Sequence, residues 1–501
     1  MKSLSATPPA TRHSPRFGLL LASLAFLTMA TGAAVAQEKL AIVRVNVTTQ
    51  SWDFLRPWGK RQPFTRRAVG AVLPGQRVLV AGELVANATY LEFEAADGGR
   101  KIPASIEAVD YEANLALLKA DEGDFLKDLP ALELTESGIG DQLSIWQLEN
   151  NGRLLVTNGP MTTAEISPYP VDGQFLIYRM TTQIQGRDSS FTLPVAKNGK
   201  LTGILMSYDN TTNNANVIPA PVIQHFLKDA ADGHYAGFPR AGYGVSPMRD
   251  PSLRRYAKVP AETTGGVYIT DVVKGGPAAL AGLKKGDVLL AADDLVVDQD
   301  GNYADPTYGK IPLSNYISTR HFVDDVVKLK ILREGQEQVL PVKLAHRDPA
   351  SYVSDPYILD KAPRFYIVGG LLLQELSHEW LRGFGQDWAR RAPPEAIYQD
   401  RYQFELFPDG PKKLVYLTRV LPTDATVGYE DLNVLRIVKI NGVELQSLDD
   451  VAKALEKPAN GFHKIEFDDD PKVIYLDAKQ VEQTDRAVQM QYRLPAMKRL
   501  E

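Results

Sequence analysis

At 501 residues the chain exceeds what one hydrophobic core organises and is expected to divide into about three domains. Hydrophobic residues at 44 % and charged residues at 23 % are ordinary globular values that exclude a disordered or fibrous class, and the absence of cysteine excludes disulfide staples and a thiol nucleophile. The formal net charge of −5 becomes −8 once the three cations Lys2, Arg12 and Arg16 are removed, so no basic surface calls for nucleic acid or anionic lipid.

Residues 1–36 form a segment of their own. Those three cations precede the apolar run Phe17–Met29, and Ala34-Val35-Ala36 follows as a small-residue cleavage site, which together describe a secretory signal peptide. The run is shorter than the ~20 residues a spanning helix needs. The expected mature chain starts at Gln37, is exported to the periplasm or the extracellular space, and has no membrane span after cleavage. From Leu40 to about Asn216, short β-type runs alternate with Gly, Asn and Pro punctuation, the signature of an all-β barrel or sandwich. "PAPVIQHFLKDAADG" then places Val222, Ile223, Phe226 and Leu227 on one helical stripe behind two prolines. Two modules with related endings follow, "GGVYITDVVKGGPAALAGLKKGDVLLAADDLVV" (Gly265–Val297) and a stretch from Leu414 to Lys457. Between them "HRDPASYVSDPYILDKAP" reads as a linker.

The motif "GGPAALAGLKKGDVLLAADD" resembles that of a PDZ domain over some thirty residues. The resemblance implies a module that takes an extended peptide as an added strand, with a loop of backbone N–H groups for the terminal carboxylate. Its matching loop here is "RAGYGV", with Tyr243, Gly244 and Val245 as the candidate peptide-binding residues. The facing helix comes from "PLSNYISTRHF", with Leu313, Tyr316 and Ile317 as candidates. The wider chain, from about Arg67 to Gln480, is similar to the HtrA/Deg family in its plant-type layout. That resemblance implies a mainly β protein: a chymotrypsin-like double β-barrel followed by two PDZ domains of α+β type. The expected plan is a protease-like domain over 37–232, a first PDZ domain over 237–347, a linker over 348–364 and a second PDZ-like domain over 365–485. An insertion at about 383–413 interrupts the last of these, and 486–501 is a C-terminal tail.

A serine protease needs a nucleophilic serine, a histidine to take its proton, an aspartate to orient the histidine, and an oxyanion hole. Matched to the family pattern, "VLVAGELVANATYLEF" puts Glu83 at the histidine position and "ANLALLKAD" puts Asn114 at the aspartate position. Anchoring on Pro194 puts Phe191 at the serine, whereas anchoring on "GRDS" puts Ser189 there with Ser190 and Phe191 in place of glycines. None of the seven histidines (positions 13, 225, 234, 321, 346, 378 and 463) lies between Gln37 and Asn216. A serine hydroxyl without a proton acceptor is a poor nucleophile, and a carboxylate of ordinary pKa is a weak base unless burial raises it. Lys119 and Lys197 are the conceivable bases of a Ser-Lys dyad. The reading from the residues is a degenerate triad and no enzyme. The alternative is a serine endopeptidase of non-standard site using Ser189 or Ser190.

No cofactor or metal is expected. "DQDGN" (Asp298–Asn302) has its glycine two places too early for a calcium loop, His378-Glu379 lacks the second histidine of a zinc helix, and "FDDDPK" reads as a charged turn. The resemblance implies partners that are unfolded or C-terminally exposed polypeptides, or an active protease of the same family. It also implies self-association as trimers or hexamers, in a role of protein quality control or scaffolding.

Overall fold

The structure, a computed structural model, describes residues 39–184 and 192–501. The first six strands are β1 (Ile42–Thr49), β2 (Phe64–Leu73), β3 (Arg77–Val80), β4 (Ala88–Glu94), β5 (Lys101–Asp110) and β6 (Leu115–Ala120), with a one-turn helix α1 (Gly82–Val85) after β3. They close into a barrel in the order β1-β2-β3-β6-β5-β4. Side chains on a strand alternate between faces, and β6 shows the result. Ala116 and Leu118 fill this barrel, while Leu115 and Leu117 face a second core shared with the next barrel. That second barrel comprises β7 (Gln142–Leu148), β8 (Leu154–Pro168), β9 (Gln174–Thr181), β10 (Pro194–Lys197), β11 (Lys200–Asp209) and β12 (Asn214–Pro219), closed in the order β10-β11-β12-β9-β8-β7. The predicted stripe forms helix α2 (Ala220–Asp229), which buries Val222, Ile223 and Phe226 completely against the second barrel.

The first C-terminal module holds β13 (Tyr243–Ser246), β14 (Val267–Val272), β15 (Val288–Ala292), β16 (Leu295–Val296), the hairpin β17 (Asn302–Asp305) and β18 (Gly309–Pro312), β19 (Val326–Arg333) and β20 (Gln336–Lys343). Its helices are α3 (Pro251–Tyr256), α4 (Pro277–Leu280) and α5 (Leu313–Arg320). The main sheet runs β13-β14-β15-β19-β20, which leaves β13 at one edge. This module shares its apolar core with the second barrel, and the Tyr178 and Tyr308 hydroxyls meet at 2.7 Å inside it.

The second module is a sheet of β21 (Phe365–Val368), β22 (Leu371–Glu375), β23 (Val415–Val420), β24 (Leu435–Ile440), β25 (Val443–Glu444), β26 (Phe462–Phe467), β27 (Val473–Asp477) and β28 (Lys498–Arg499). Between β22 and β23 the chain leaves the sheet to form α6 (His378–Arg382), α7 (Trp388–Arg391), α8 (Pro394–Arg401) and α9 (Gln403–Leu406), and α10 (Asp449–Leu455) and α11 (Ala478–Gln491) follow later. Two expected boundaries differ. The residues expected as a tail are part of this module, because α11 packs its Val488 into a core with Phe365 and Ile367 while β28 pairs with β21. The expected linker is fastened at Val353 and Ser354, whose N–H groups both donate to Gln403 Oε1, at 2.9 and 3.0 Å. Among the described residues no helix is long and apolar enough to cross a membrane.

Candidate functional site

In the first barrel, α1 and the β5–β6 turn bring Glu83 and Asn114 together. The Glu83 N–H donates to Asn114 Oδ1 at 2.8 Å. Asn114 is fully buried at φ 52°, in the left-handed region that asparagine tolerates better than most residues. Gly82 permits the approach, since a Cβ there would lie 3.1 Å from both the Asp110 carbonyl oxygen and the Leu115 nitrogen. Burial pushes the Glu83 carboxyl above the usual range, and the charge of Arg66 offsets this only in part. The Asn114 Nδ2 is buried without a hydrogen-bond partner. The sequence-matched triad positions Glu83 and Asn114 are thus neighbours, whereas Ser189, Ser190 and Phe191 lie outside the described residues. Lys197 is no free base, because it forms an ion pair with Asp141, and Lys119 is exposed on β6.

The same turn is tied to the first module. Glu112 accepts from Arg240 Nη2 at 2.6 Å and lies 3.6 Å from His346 Nε2. Burial raises the Glu112 carboxyl, but His346 and Arg240 more than offset this and hold it below the ordinary value, while Glu112 in turn raises His346. Tyr235 donates to the fully buried Asp110.

Beyond Arg240 the chain enters β13, whose outer edge pairs with no strand among the described residues. Beside that edge lies a cavity of about 760 Å³ lined by Tyr243, Gly244 and Val245 on one side and by Leu313 and Ile317 of α5 on the other. Leu313 and Ile317 are 5 % exposed and Val245 is 44 % exposed, so an apolar floor faces an accessible strand. Tyr316, expected to face the groove, does not line it. Its position on the helix turns it away, where its hydroxyl donates to Asp293 Oδ2 at 2.9 Å and its ring packs edge-on against His321. Residues outside the first module complete the cavity: the β8–β9 turn from Pro168 to Phe175, Arg347, and Arg401, Tyr402 and Phe404 of the insertion. Sequence reading missed these, and no local pattern marks them, because they come to the groove from segments distant in the chain.

In the second module both sides of β22 are paired. Its β22 is flanked by β23 and by β21, and β21 is itself covered by β28. At the Gly369-Gly370 turn between β21 and β22, the Asp485 carboxylate accepts the Gly369 N–H at 2.6 Å. Asp298 of the "DQDGN" turn accepts the N–H groups of Asp300 and Asn302 at 2.9 Å, a role that closes a turn.

PDZ-domain family models match residues 248–344 and 355–498. Among curated proteins, Protease Do-like 4, mitochondrial, of Arabidopsis thaliana is 23 % identical over 91 % of this chain and 84 % of its own length. Protease Do-like 2, chloroplastic, of the same plant is 26 % identical over 86 % of this chain and 70 % of its own. Among solved structures, "HtrA-type protease AlgW with decapeptide" gives a TM-score of 0.46 at 19 % identity over 62 % of this chain and 96 % of that chain, a likeness too low to argue from. These relatives correct the expectation of a non-enzyme. Proteins matched along nearly the whole chain carry the names of proteases. The condition attached to Glu83 as a base, a carboxyl raised by burial, is also met in direction. With its double β-barrel and two PDZ domains, the chain is an HtrA/Deg-family protease homologue.

Proposed function

We propose that this protein captures polypeptide C-termini in the groove of its first PDZ domain, in the service of a protease-type double barrel. The observation that carries the reading is the unpaired edge of β13 facing the apolar floor of Leu313 and Ile317. An extended peptide added to that edge gains main-chain hydrogen bonds along β13, and its last side chain fills the floor. The comparison that tests it needs no mutation. A fluorescent peptide ending in valine as the free acid is expected to bind at least ~10-fold more tightly than the same peptide as its amide, because a charge-assisted contact at the terminus is lost. Equal affinities, or no binding of either, would sink the reading.

Hydrolysis of the captured chain is favoured by a second observation, the Glu83–Asn114 pair. A histidine–aspartate pair carries one negative charge on its orienting member, and a glutamate–asparagine pair carries one on the base itself. A carboxylate raised by burial is a stronger proton acceptor than an ordinary one, and the contact of the Glu83 N–H with Asn114 Oδ1 fixes the backbone that carries it. Cleavage of a dye-labelled unfolded polypeptide is expected to rise with pH through a midpoint above 4.5, the ordinary value for this side chain, and to fall at least ~100-fold in Glu83→Gln. Turnover unchanged by Glu83→Gln would refute this role. Fluorophosphonate labelling followed by peptide mapping reads whether Ser189 or Ser190 is the nucleophile.

Export is part of the same proposal, supported by the signal-type sequence of residues 1–36, and N-terminal sequencing of the protein from cells tests it through the expected start at Gln37. Self-association, read by light scattering, is the expected assembly.

A further inference from the structure

We propose that the first PDZ groove is a composite site that selects polypeptide C-termini with an aliphatic last residue and an acidic penultimate residue, the acidic preference coming from Arg347 and Arg401. The inference rests on the peptide-capture reading above and names its substrate class.

Successive side chains of an added strand point to opposite faces. When the last side chain enters the floor formed by Leu313 and Ile317, the penultimate one points away from that floor, and on this proposal it meets the wall that Arg347 and the insertion add to the cavity. That wall carries two arginines. Arg347 has its guanidinium carbon 4.4 Å from the centroid of the Phe404 ring and 5.5 Å from that of Tyr352. Such stacking leaves the N–H edge of a guanidinium available for a carboxylate. Arg401 is exposed at the end of α8 and lines the same cavity. Among the described residues neither arginine has an ion-pair partner, whereas the neighbouring Arg240 is committed to Glu112.

The wall is held in place. Gln403 accepts the N–H groups of Val353 and Ser354 and donates to the Ser354 carbonyl at 3.1 Å, and Asp409 of the same insertion pairs with Lys274 of the first PDZ domain. The arginines are therefore presented to the groove by fixed backbone, which is what a specificity determinant requires. Four carboxylates also line the cavity: Asp172, 3.8 Å from Arg240 Nη2, and Asp300, ion-paired with Arg249, have cations of their own, whereas Asp271 and Glu405 have no ion-pair partner among the described residues. Asp271 sits on β14 opposite Gly244 in register, on the side of β13 away from the open edge, and Glu405 is exposed beside Phe404. They define the competing preference, a basic penultimate residue.

The test uses the full chain and three fluorescent peptides, identical except that they end in Glu-Val, Gln-Val and Lys-Val. The Glu-Val peptide is expected to bind ~5-fold more tightly than Gln-Val and at least ~10-fold more tightly than Lys-Val, with the differences shrinking as salt is raised. In Arg347→Gln/Arg401→Gln the three affinities are expected to converge on the Gln-Val value. Arg401→Glu, at an exposed position that folding does not depend on, is expected to favour Lys-Val. Equal binding of all three peptides by the unmodified chain overturns the composite site and leaves peptide capture standing. A preference for Lys-Val overturns it in favour of Glu405 and Asp271, and failure of all three to bind overturns both readings.

Discussion

In the first PDZ domain the strand beside the peptide groove, β13, is followed on one side by β14 and on the other by open space. In the second, the corresponding strand β22 is flanked by the domain's own β21, which pairs with it from Tyr366–Leu373 to Val368–Leu371. In the second domain the place beside this strand is taken by the domain's own chain, and β28 in turn pairs with β21. Asp485 even supplies a carboxylate to the backbone N–H at the Gly369-Gly370 turn. An unpaired edge is a liability in a stable sheet and an asset in a receptor. On the proposed reading one domain keeps the edge for binding and the other pairs it within its own sheet, so changes at the two edges should read out differently.

The largest effect is expected from a matched pair of substitutions. Phe365 on β21 is fully buried, packs against Val488 and meets Trp58 edge-on, so Phe365→Ala is expected to cost ~3–5 kcal/mol. Val245→Ala on the exposed β13 is expected to change stability by less than ~0.5 kcal/mol while weakening peptide binding. Hydrogen exchange of the two sheets checks both. Fast exchange at β21 and β22 in Phe365→Ala is predicted, and comparable losses from the two substitutions would erase the distinction between the domains.

Asp485 sharpens it further. Burial raises its carboxyl to about 6 from 3.8, and the Gly369 N–H pulls in the opposite direction without reversing this. A folded-state pKa above the unfolded one means that the folded form binds more protons between those two values, so stability falls as pH rises from about 3.8 to about 6. Asp485→Asn keeps an oxygen for Gly369 and removes the buried charge. It is expected to stabilise the protein by ~1–2 kcal/mol at neutral pH, the full shift being discounted for partial exposure, and to give no gain near pH 3. Thermal melts across that range decide the matter, and a gain that did not vary with pH would contradict the assigned cause.

The architecture was legible because its signals are local. Strand punctuation, the stripe of α2 and the run "GGPAALAGLKKGDVLL" each specify an element from neighbouring residues. The sequence matched Glu83 and Asn114 to two triad positions but left open whether they meet, and the contact comes from the packing of α1 against the β5–β6 turn. What was illegible depends on contacts between distant segments. Burial of the Glu83 carboxyl is a property of the packed barrel that no local pattern announces. The wall beside the first groove, the paired edge of β22 and the packing of Val488 and β28 into the second domain all join parts of the chain that no short pattern connects. Tyr316 was misplaced because apolar spacing on a short helix does not say which side meets the groove and which meets Asp293.

The smallest effect tests how the open-edged domain is held. Tyr308 is 4 % exposed at the tip of the β17–β18 hairpin, and its hydroxyl meets Tyr178 of the second barrel at 2.7 Å and Glu136 at 3.2 Å. Tyr308→Phe keeps the ring packing and removes only these bonds, leaving the buried Tyr178 hydroxyl with the Ser137 N–H at 3.4 Å as its remaining contact. A cost of ~1 kcal/mol is expected, since one satisfied buried pair is exchanged for a partly satisfied group. Peptide affinity is expected to stay unchanged, because Tyr308 does not line the groove. If the first PDZ domain were tethered loosely, its unfolding would separate from that of the barrel and the substitution would leave the barrel's melting untouched. Because the two share one apolar core, the loss is expected to appear equally in probes of both, and two separate transitions would show that the shared core does not couple them.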